Sequence, residues 1–467
     1  MYTVPMSGPR EPPSRRAAGR LPTAVVVLGL VSFFTDASTE MMYPLIPVFV
    51  TLLGSGVVLL GVIEGIAEAT ASALKLASGV LSDRLRRNKL LTVLGYSLST
   101  LVRPLTALVA RAWQIVPVRL VDRVGKGIRT SPRDALLASS VQPGIRGKAF
   151  GFHRAMDHAG AVVGPILALS SLYLLLSLTR LPSMLAALRW TFALALVPGV
   201  AAVLVLVLFV REKPEVGGRE RRPAVRFSLR SLDPNFLRYV IVLFLFTLGN
   251  SSDAFLLFRV REAVGSSGLA ERLAVSLGPL RAVLSRFEDP EARRQAVEVL
   301  LLPLVWAFFH AIKVIVSTPL SALSDRVGRK TMICAGWGIY AAVYVGFSFL
   351  DRLPPAARLP GVFLLFGVYS LYFGATEGVE RAFVSDLVPA ERRGGAFGLY
   401  HALTGLGALP ASILFGVVYA ALGEKGGRVA FLCGAGLAFA AMVLLILLVK
   451  ERREGAQEPA GPDPQRG

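Results

Sequence analysis

Long apolar runs, separated by short polar loops, dominate the chain. They fall at approximately 23–53, 57–80, 89–110, 113–138, 147–177, 186–210, 237–260, 300–323, 330–350, 360–386, 395–422 and 428–449. Each is about the 20 residues a helix needs to cross a bilayer. Inside hydrocarbon only helices and closed barrels satisfy every backbone N–H and C=O, and these runs are too long and continuous for barrel strands. The pattern predicts an all-α membrane protein of about twelve transmembrane helices.

The fourth run departs from the rest. Val118–Ser139 reads VRLVDRVGKGIRTSPRDALLAS, with Arg119, Asp122, Arg123, Lys126, Arg129 and Arg133 at three- and four-residue steps. A helix places such residues along one face. A charge at bilayer depth costs a few kcal/mol on insertion scales, so this stripe is expected to line a polar cavity and not to face lipid. The GKG triplet does not make a phosphate loop: Leu120 stands where the first Gly belongs, and Gly127 where Ser or Thr is needed.

Other ionisable residues fall inside the runs. The first half holds Asp36, Glu40, Glu64, Glu68, Lys75, His153, Asp157 and His158; the second holds Asp253, His310, Lys313, Glu377, Glu380, Arg381 and His401, with Asn250 beside them. Cavity carboxylates either carry protons or stay ionised beside Arg or Lys as structural ties. Asp36 and Glu40 lie one turn apart on a helix that Pro44 and Pro47 should bend. Two carboxylates this close do not both ionise freely, which makes them a candidate proton site. Arg123 or Arg129 is expected to tie one or more of the carboxylates.

The chain repeats itself. Gly79-Val-Leu-Ser-Asp83-Arg84-Leu-Arg86-Arg87 ends the second run, and a near copy, Leu323-Ser324-Asp325-Arg326-Val-Gly-Arg329-Lys330, ends the eighth. Gly147-Lys-Ala-Phe-Gly151 opens the fifth, and Gly394-Gly-Ala-Phe-Gly398 the eleventh. Two six-helix pseudo-repeats around a central cavity follow from this. The expected divisions are a basic tail at 1–22, a first half at 23–210, a linker at 211–236, a second half at 237–450 and a tail at 451–467. An insertion at 261–299 breaks the symmetry. Leu273, Leu277, Leu280 and Leu284 suit one or two amphipathic surface helices, with an unstructured insertion as the alternative.

Charge placement sets the expected orientation. The net charge is +20 over 467 residues, of which 54% are hydrophobic. The excess is not a nucleic-acid signal, because it collects in alternate loops: Arg84–Lys89, Arg146 and Lys148, 211–238, Arg326–Lys330, Arg392 and Arg393. These loops and both termini are expected in the cytoplasm, and 261–299 outside it, in a cell membrane. The first run is too long for a signal-peptide core and has no A-x-A site. Cys334 and Cys433 fall inside runs and read as packing residues. No nucleophile–base set, cofactor motif, CxxC, HxxxH or His-rich loop is present, so neither an enzyme, a cofactor nor a metal site is assigned.

On these residues the chain resembles the major facilitator superfamily over roughly 23–450, and within it the drug/metabolite exporter branches. The superfamily's loop motif, G-x-x-x-D-R-x-x-R/K, is matched by Gly79, Asp83, Arg84 and Arg87, and more weakly by Asp325, Arg326 and Arg329, where Leu320 or Ser321 stands near the Gly position. The fourth-helix motif, R-x-x-x-G, is matched by Arg123 and Gly127, with Lys126 in place of the usual Gln and Arg129 as an extra charge. The antiporter pattern G-x-x-x-G-P-x-x-G-G is matched at Gly160, Gly164 and Pro165, but Ala168 and Leu169 replace its last glycines. The resemblance implies a monomeric secondary transporter exchanging protons for a small-molecule or ion substrate by rocking of the halves. It also implies that the helices of Asp36 and His401 face the cavity and that the loop motifs control gating. A divalent-metal exporter, for which His153, Asp157 and His158 would be suited, and a solute importer are the alternatives.

The charge pattern carries a direct test. In a chain whose own cysteines are replaced by Ala, Glu220→Cys is expected to resist a membrane-impermeant maleimide added outside intact cells and to react in inverted vesicles. Labelling in intact cells would reverse the orientation.

Overall fold

A computed structural model describes residues 21–85, 87–141, 146–178, 183–211, 233–265, 284, 287–389 and 393–451; the side chains of 75–85, 138, 146–148, 178 and 393–395 lie outside that description. Among the described residues helices predominate and there is no strand. In chain order the crossings are α1 Thr23–Leu52, α2 Val57–Leu85, α3 Asn88–Val102, α4 Ile115–Ser139, α5 Arg146–Leu178 and α6 Met184–Phe209 in the first half. The second half contains α7 Pro234–Gly265, α8 Pro290–Val327, α9 Arg329–Ser348, α10 Pro355–Leu387, α11 Arg393–Ala421 and α12 Gly426–Leu448. Ten of these are long and apolar enough to cross a membrane by composition alone. The other two are α3, short but extended by the tight turn Arg103–Leu108, and α4, whose charges depress its hydropathy.

Large apolar side chains such as Leu101, Leu208, Ile241, Ile315, Leu364 and Leu447 stand exposed around the bundle, a distribution suited to hydrocarbon and not to water. The interior divides unequally. One apolar core joins the ends of α1, α5 and α6 around Met41–Val50, Leu172 and Phe192 to the whole second half. A separate small core, including Val25, Tyr96, Leu137, Ala149 and Leu206, fills the opposite end of the first half alone. The halves therefore pack together on the side away from the basic loops.

Four crossings are broken, α6 only briefly at Ala195, just ahead of Pro198. α1 changes to a 3-10 turn at Tyr43–Leu45, where Pro44 and Pro47 cannot continue the helical ladder, as their positions predict. α7 unwinds at Asn250–Asp253, and α10 is interrupted at Glu377 and Gly378. Non-helical backbone at membrane depth survives only where protein or a wet cavity covers it.

The insertion is narrower than the hydropathy suggests. α7 runs on to Gly265, and α8 begins at Pro290 and not near 300. Asp289 caps α8 by accepting from the Glu291 and Ala292 amides, and Pro290 sits at the first helical position. Hydropathy marks where hydrocarbon ends; a cap marks where the helix ends. Leu284 is described and fully buried; Leu273, Leu277 and Leu280 lie outside the described residues, as do 1–20, 212–232 and 452–467.

Glycine allows α5 to lie directly on α1. A Cβ at Gly164 would stand 2.6 Å from the Ala37 carbonyl oxygen and 2.9 Å from the Glu40 Cβ, and one at Gly160 would stand 3.1 Å from the Asp36 Cβ. This is small-residue packing of the kind membrane helices use, and it brings the carboxylates of α1 beside α5. Gly164→Val is expected to destabilise the protein by about 1–3 kcal/mol through overpacking. A fall in the melting temperature of the purified chain in detergent would register this; an unchanged transition would show that the helices can separate freely.

Candidate functional site

A cavity of about 430 Å³ lies between the halves. From the first half it is lined by Tyr43, Glu64, Glu68 and Arg123; from the second, by the unwound Asn250–Asp253, by Tyr372, Glu377, Glu380 and Arg381, and by Tyr400, Thr404 and Ser412. The breaks in α7 and α10 turn these polar side chains inward.

The basic stripe of α4 divides its work. At about 100° per residue it spans an arc of roughly 120°, too wide for one neighbour. Arg119 donates to Glu64 at 2.7 Å with both side chains buried. Asp122 turns to the other side and is held by Arg103 at 2.9 Å. Arg129 also leaves the cavity: it donates to Ser99 Oγ at 2.7 Å and lies 4.5 Å above the Tyr96 ring. The expectation that Arg123 or Arg129 ties a carboxylate is therefore corrected; Arg119 and Arg103 do so. Arg123 alone of the stripe lines the cavity. It is 7% exposed, and among the described residues it has no ion-pair or hydrogen-bond partner.

A second group lies within the first half and does not line the cavity. Asp36 sits in the electrostatic field of Asp157, Glu40, Lys126 and Arg129. Asp157 accepts a short hydrogen bond from Ser32, with His153 Nδ1 at 3.6 Å and Arg154 at 3.5 Å. The remaining ring nitrogen of His153, Nε2, is buried without a partner among the described residues. Glu40 reaches across to the second half, where it accepts from the Trp306 indole at 2.8 Å. Tyr43 reinforces this crossing: its ring is 5.2 Å from that of Trp306, and its hydroxyl is 3.3 Å from Ser252 Oγ.

The second-half wall is acidic and aromatic. Asp253 accepts from Tyr369 at 2.6 Å. Glu380 accepts from Trp337 and Tyr400, each at 3.0 Å. Glu377 is paired with Lys313 at 3.2 Å and Arg381 at 3.7 Å. Phe246 stacks on Trp337 at 4.4 Å, and Tyr369 on Tyr372 at 5.6 Å. His401 packs edge-on against Tyr400 at 5.1 Å but does not line the cavity.

The second loop motif links helix ends within its own half. Arg329 pairs with Asp325 at 2.9 Å and with Asp386, at the end of α10, at 2.6 Å, while its backbone N–H donates to Glu451 at 2.5 Å. Arg326 is exposed. Of the first motif, Arg87 is exposed at the start of α3, and the side chains of Gly79, Asp83 and Arg84 lie outside the description, as does that of Lys75.

The residue reading missed Arg103, Trp306, Trp337, Tyr369 and Tyr400. Arg103 lies inside the third apolar run, beside Pro104, where the helix gives way to the tight turn Arg103–Leu108. The aromatics look like core, and only their tertiary neighbours show them to be hydrogen-bond donors to carboxylates.

Twelve helical crossings in two halves, closing on a cavity lined by buried charges, define a membrane carrier. The chain belongs to the Major Facilitator Superfamily, whose sequence profile matches residues 28–287 and 296–466. An uncharacterized MFS-type transporter of Methanocaldococcus jannaschii is 30% identical, covering 91% of this chain and 94% of that one. An uncharacterized protein of Mycobacterium bovis is 28% identical over 85% of this chain and 86% of its own. Among solved structures, a mutant of the nucleoside transporter NupG aligns with a TM-score of 0.70 at 13% identity, covering 92% of this chain and all (100%) of that one. A D-xylose-proton symporter aligns with a TM-score of 0.66 at 17% identity, covering 91% and 97%. At such identities the structures share the fold. The protein is a multi-pass secondary transporter of a small-molecule substrate, not an enzyme.

The buried pair Arg119–Glu64 should behave as a unit. Arg119→Ala leaves a carboxylate buried without its cation, which typically costs about 3–5 kcal/mol, and is expected to lower folded yield sharply. Replacing both residues by Met should recover most of it. Equal loss in the single and double variants would mean that the charge pairing does not matter.

Proposed function

We propose that this transporter is a proton-coupled exporter working by alternating access, in a cell membrane with both termini cytoplasmic. It acts as a monomer, since a single chain supplies both walls of the cavity. The carrying observation is the hydrogen bond from Trp306 to Glu40. It joins the halves on the side where they share a core, and its acceptor is a carboxylate one turn from Asp36.

A coupling cycle follows from ordinary hydrogen-bond chemistry. An ionised Glu40 accepts the indole N–H strongly, which favours closure on that side. A protonated Glu40 accepts it more weakly, so proton binding favours parting of the halves there. With the basic loops cytoplasmic, protons would enter from outside and leave inside as the clasp re-forms, leaving the cavity open to cytoplasmic substrate. Asp36, Asp157 and His153 would pass or hold the proton beside Lys126 and Arg129. The loop-motif residues Asp83, Arg84, Asp325 and Arg329 would restrain the cytoplasmic ends of the helices, and Gly160, Gly164 and Pro165 would let α5 move against α1.

The metal-exporter reading is the weaker alternative. Among the described residues no three His, Cys, Asp or Glu side chains converge as a metal site requires. Proton-driven import is a second reading, supported by the likeness of the fold to a D-xylose-proton symporter. A growth-toxicity screen of expressing cells against drugs, metals and organic acids would supply a substrate, and inverted vesicles would then give the direction of flux.

With that substrate in hand, Glu40→Gln and Asp36→Asn are expected to reduce uphill, pH-driven transport at least tenfold while downhill exchange persists in proteoliposomes. Joint loss of folded yield and exchange would make these carboxylates structural. A double variant that still pumps uphill would end the proton-site proposal.

A further inference from the structure

Some of the charges around the cavity satisfy one another and some do not. Glu64 is held by Arg119, and Glu377 by Lys313 and Arg381. On the first-half wall this leaves Arg123 and Glu68; Arg123 has its Nε buried and unpartnered and no carboxylate within ion-pair distance among the described residues. On the second-half wall it leaves Asp253 and Glu380. Both line the cavity, both accept only from neutral donors, and neither has a cation within ion-pair distance among the described residues. Phe246 and Tyr372 line the same wall as these two acids.

We propose that the substrate is a zwitterionic small molecule with an apolar or aromatic body, its anionic group held by Arg123 and its cationic group by Asp253 and Glu380. An uncompensated guanidinium inside a membrane bundle is costly, and a ligand carboxylate or phosphate would offset that cost through charge-assisted hydrogen bonds. The opposite wall offers two carboxylates framed by ring faces, which together suit an organic ammonium group. One ligand spanning both walls would be held by both halves at once, so its binding would bias their rocking. A cavity of about 430 Å³ falls within the roughly 300–1,000 Å³ of small-molecule sites, room for a compact molecule of this kind. The inference rests on the cavity being the substrate site; it does not depend on the direction of transport.

The test uses the purified full chain and four probes: phenylalanine and the dipeptide Phe-Ala as zwitterions, phenylalanine amide as the cation, and N-acetylphenylalanine as the anion. Binding is read by thermal shift in detergent, and transport by counterflow in liposomes. A zwitterion is expected to bind at least tenfold more tightly than either singly charged analogue. Arg123→Ala should abolish that preference in favour of the amide, whereas Asp253→Asn combined with Glu380→Gln should shift it toward the N-acetyl compound. Arg123→Lys, which keeps the charge, should retain part of the preference. If the charge-removing variants do not fold, the wild-type ranking alone decides. Zwitterion binding without counterflow would sink the transport reading of the cavity and leave the charge assignment standing. Failure of both zwitterions to bind, or equal binding of a singly charged analogue, overturns the inference.

Discussion

The Arg119 guanidinium and the Glu64 carboxylate meet at 2.7 Å where neither could stand alone. Taking either ion out of water costs several kcal/mol, and only a close partner with good geometry offsets it. The Arg103–Asp122 pair does the same between α3 and α4. These pairs make it possible for α4 to carry so many charges through a bilayer. They also determine what remains free, because a cavity shows a ligand only the charges that its own walls have not neutralised. The exposed Arg329 network is of another kind. It lies at helix ends, where water screens it, and its value is in holding α8, α10 and the segment after α12 in register.

The cavity depends equally on helices that do not run straight. The unwound Asn250–Asp253 and the interruption at Glu377 bring polar side chains to a depth where a regular helix would leave them on one narrow stripe. Their backbone groups are supported locally: the Gly249 carbonyl accepts from Tyr340 at 3.0 Å. The bend at Tyr43–Leu45 places Tyr43 against Trp306 and Ser252. Proline, unwound backbone and buried aromatics thus cooperate where α1 meets α7 and α8, one of the places where the halves touch. The first half keeps its own small core at the opposite end, which leaves the two sides of the bundle unequally joined.

The hydropathy pattern alone determined that the chain crosses a membrane about twelve times, and two short internal copies determined that it does so in two related halves. The physical reason is that lipid imposes length and polarity on each crossing separately, so the signal is local. Proline placement predicted the bend in α1 for the same reason. The list of residues buried within the bundle was also largely legible, because ionisable groups inside apolar runs are rare enough to stand out. Helix ends were less legible at α8, whose capped first turns project beyond the apolar run.

Only the tertiary structure decided which of those residues meet. Six charges at helical spacing look like one face in the sequence, but the arc they span is shared among neighbours. Arg119 turns to α2, Asp122 and Arg129 turn to α3, and Arg123 is left to the cavity. Trp306, Trp337 and Tyr400 carry no mark in the sequence that separates a carboxylate's donor from a core aromatic. Asp36 and Asp157, far apart in sequence, become neighbours because Gly160 and Gly164 let α5 settle onto α1. Partnership between charges depends on distances of a few ångströms across helices, and residue order along one helix does not contain them.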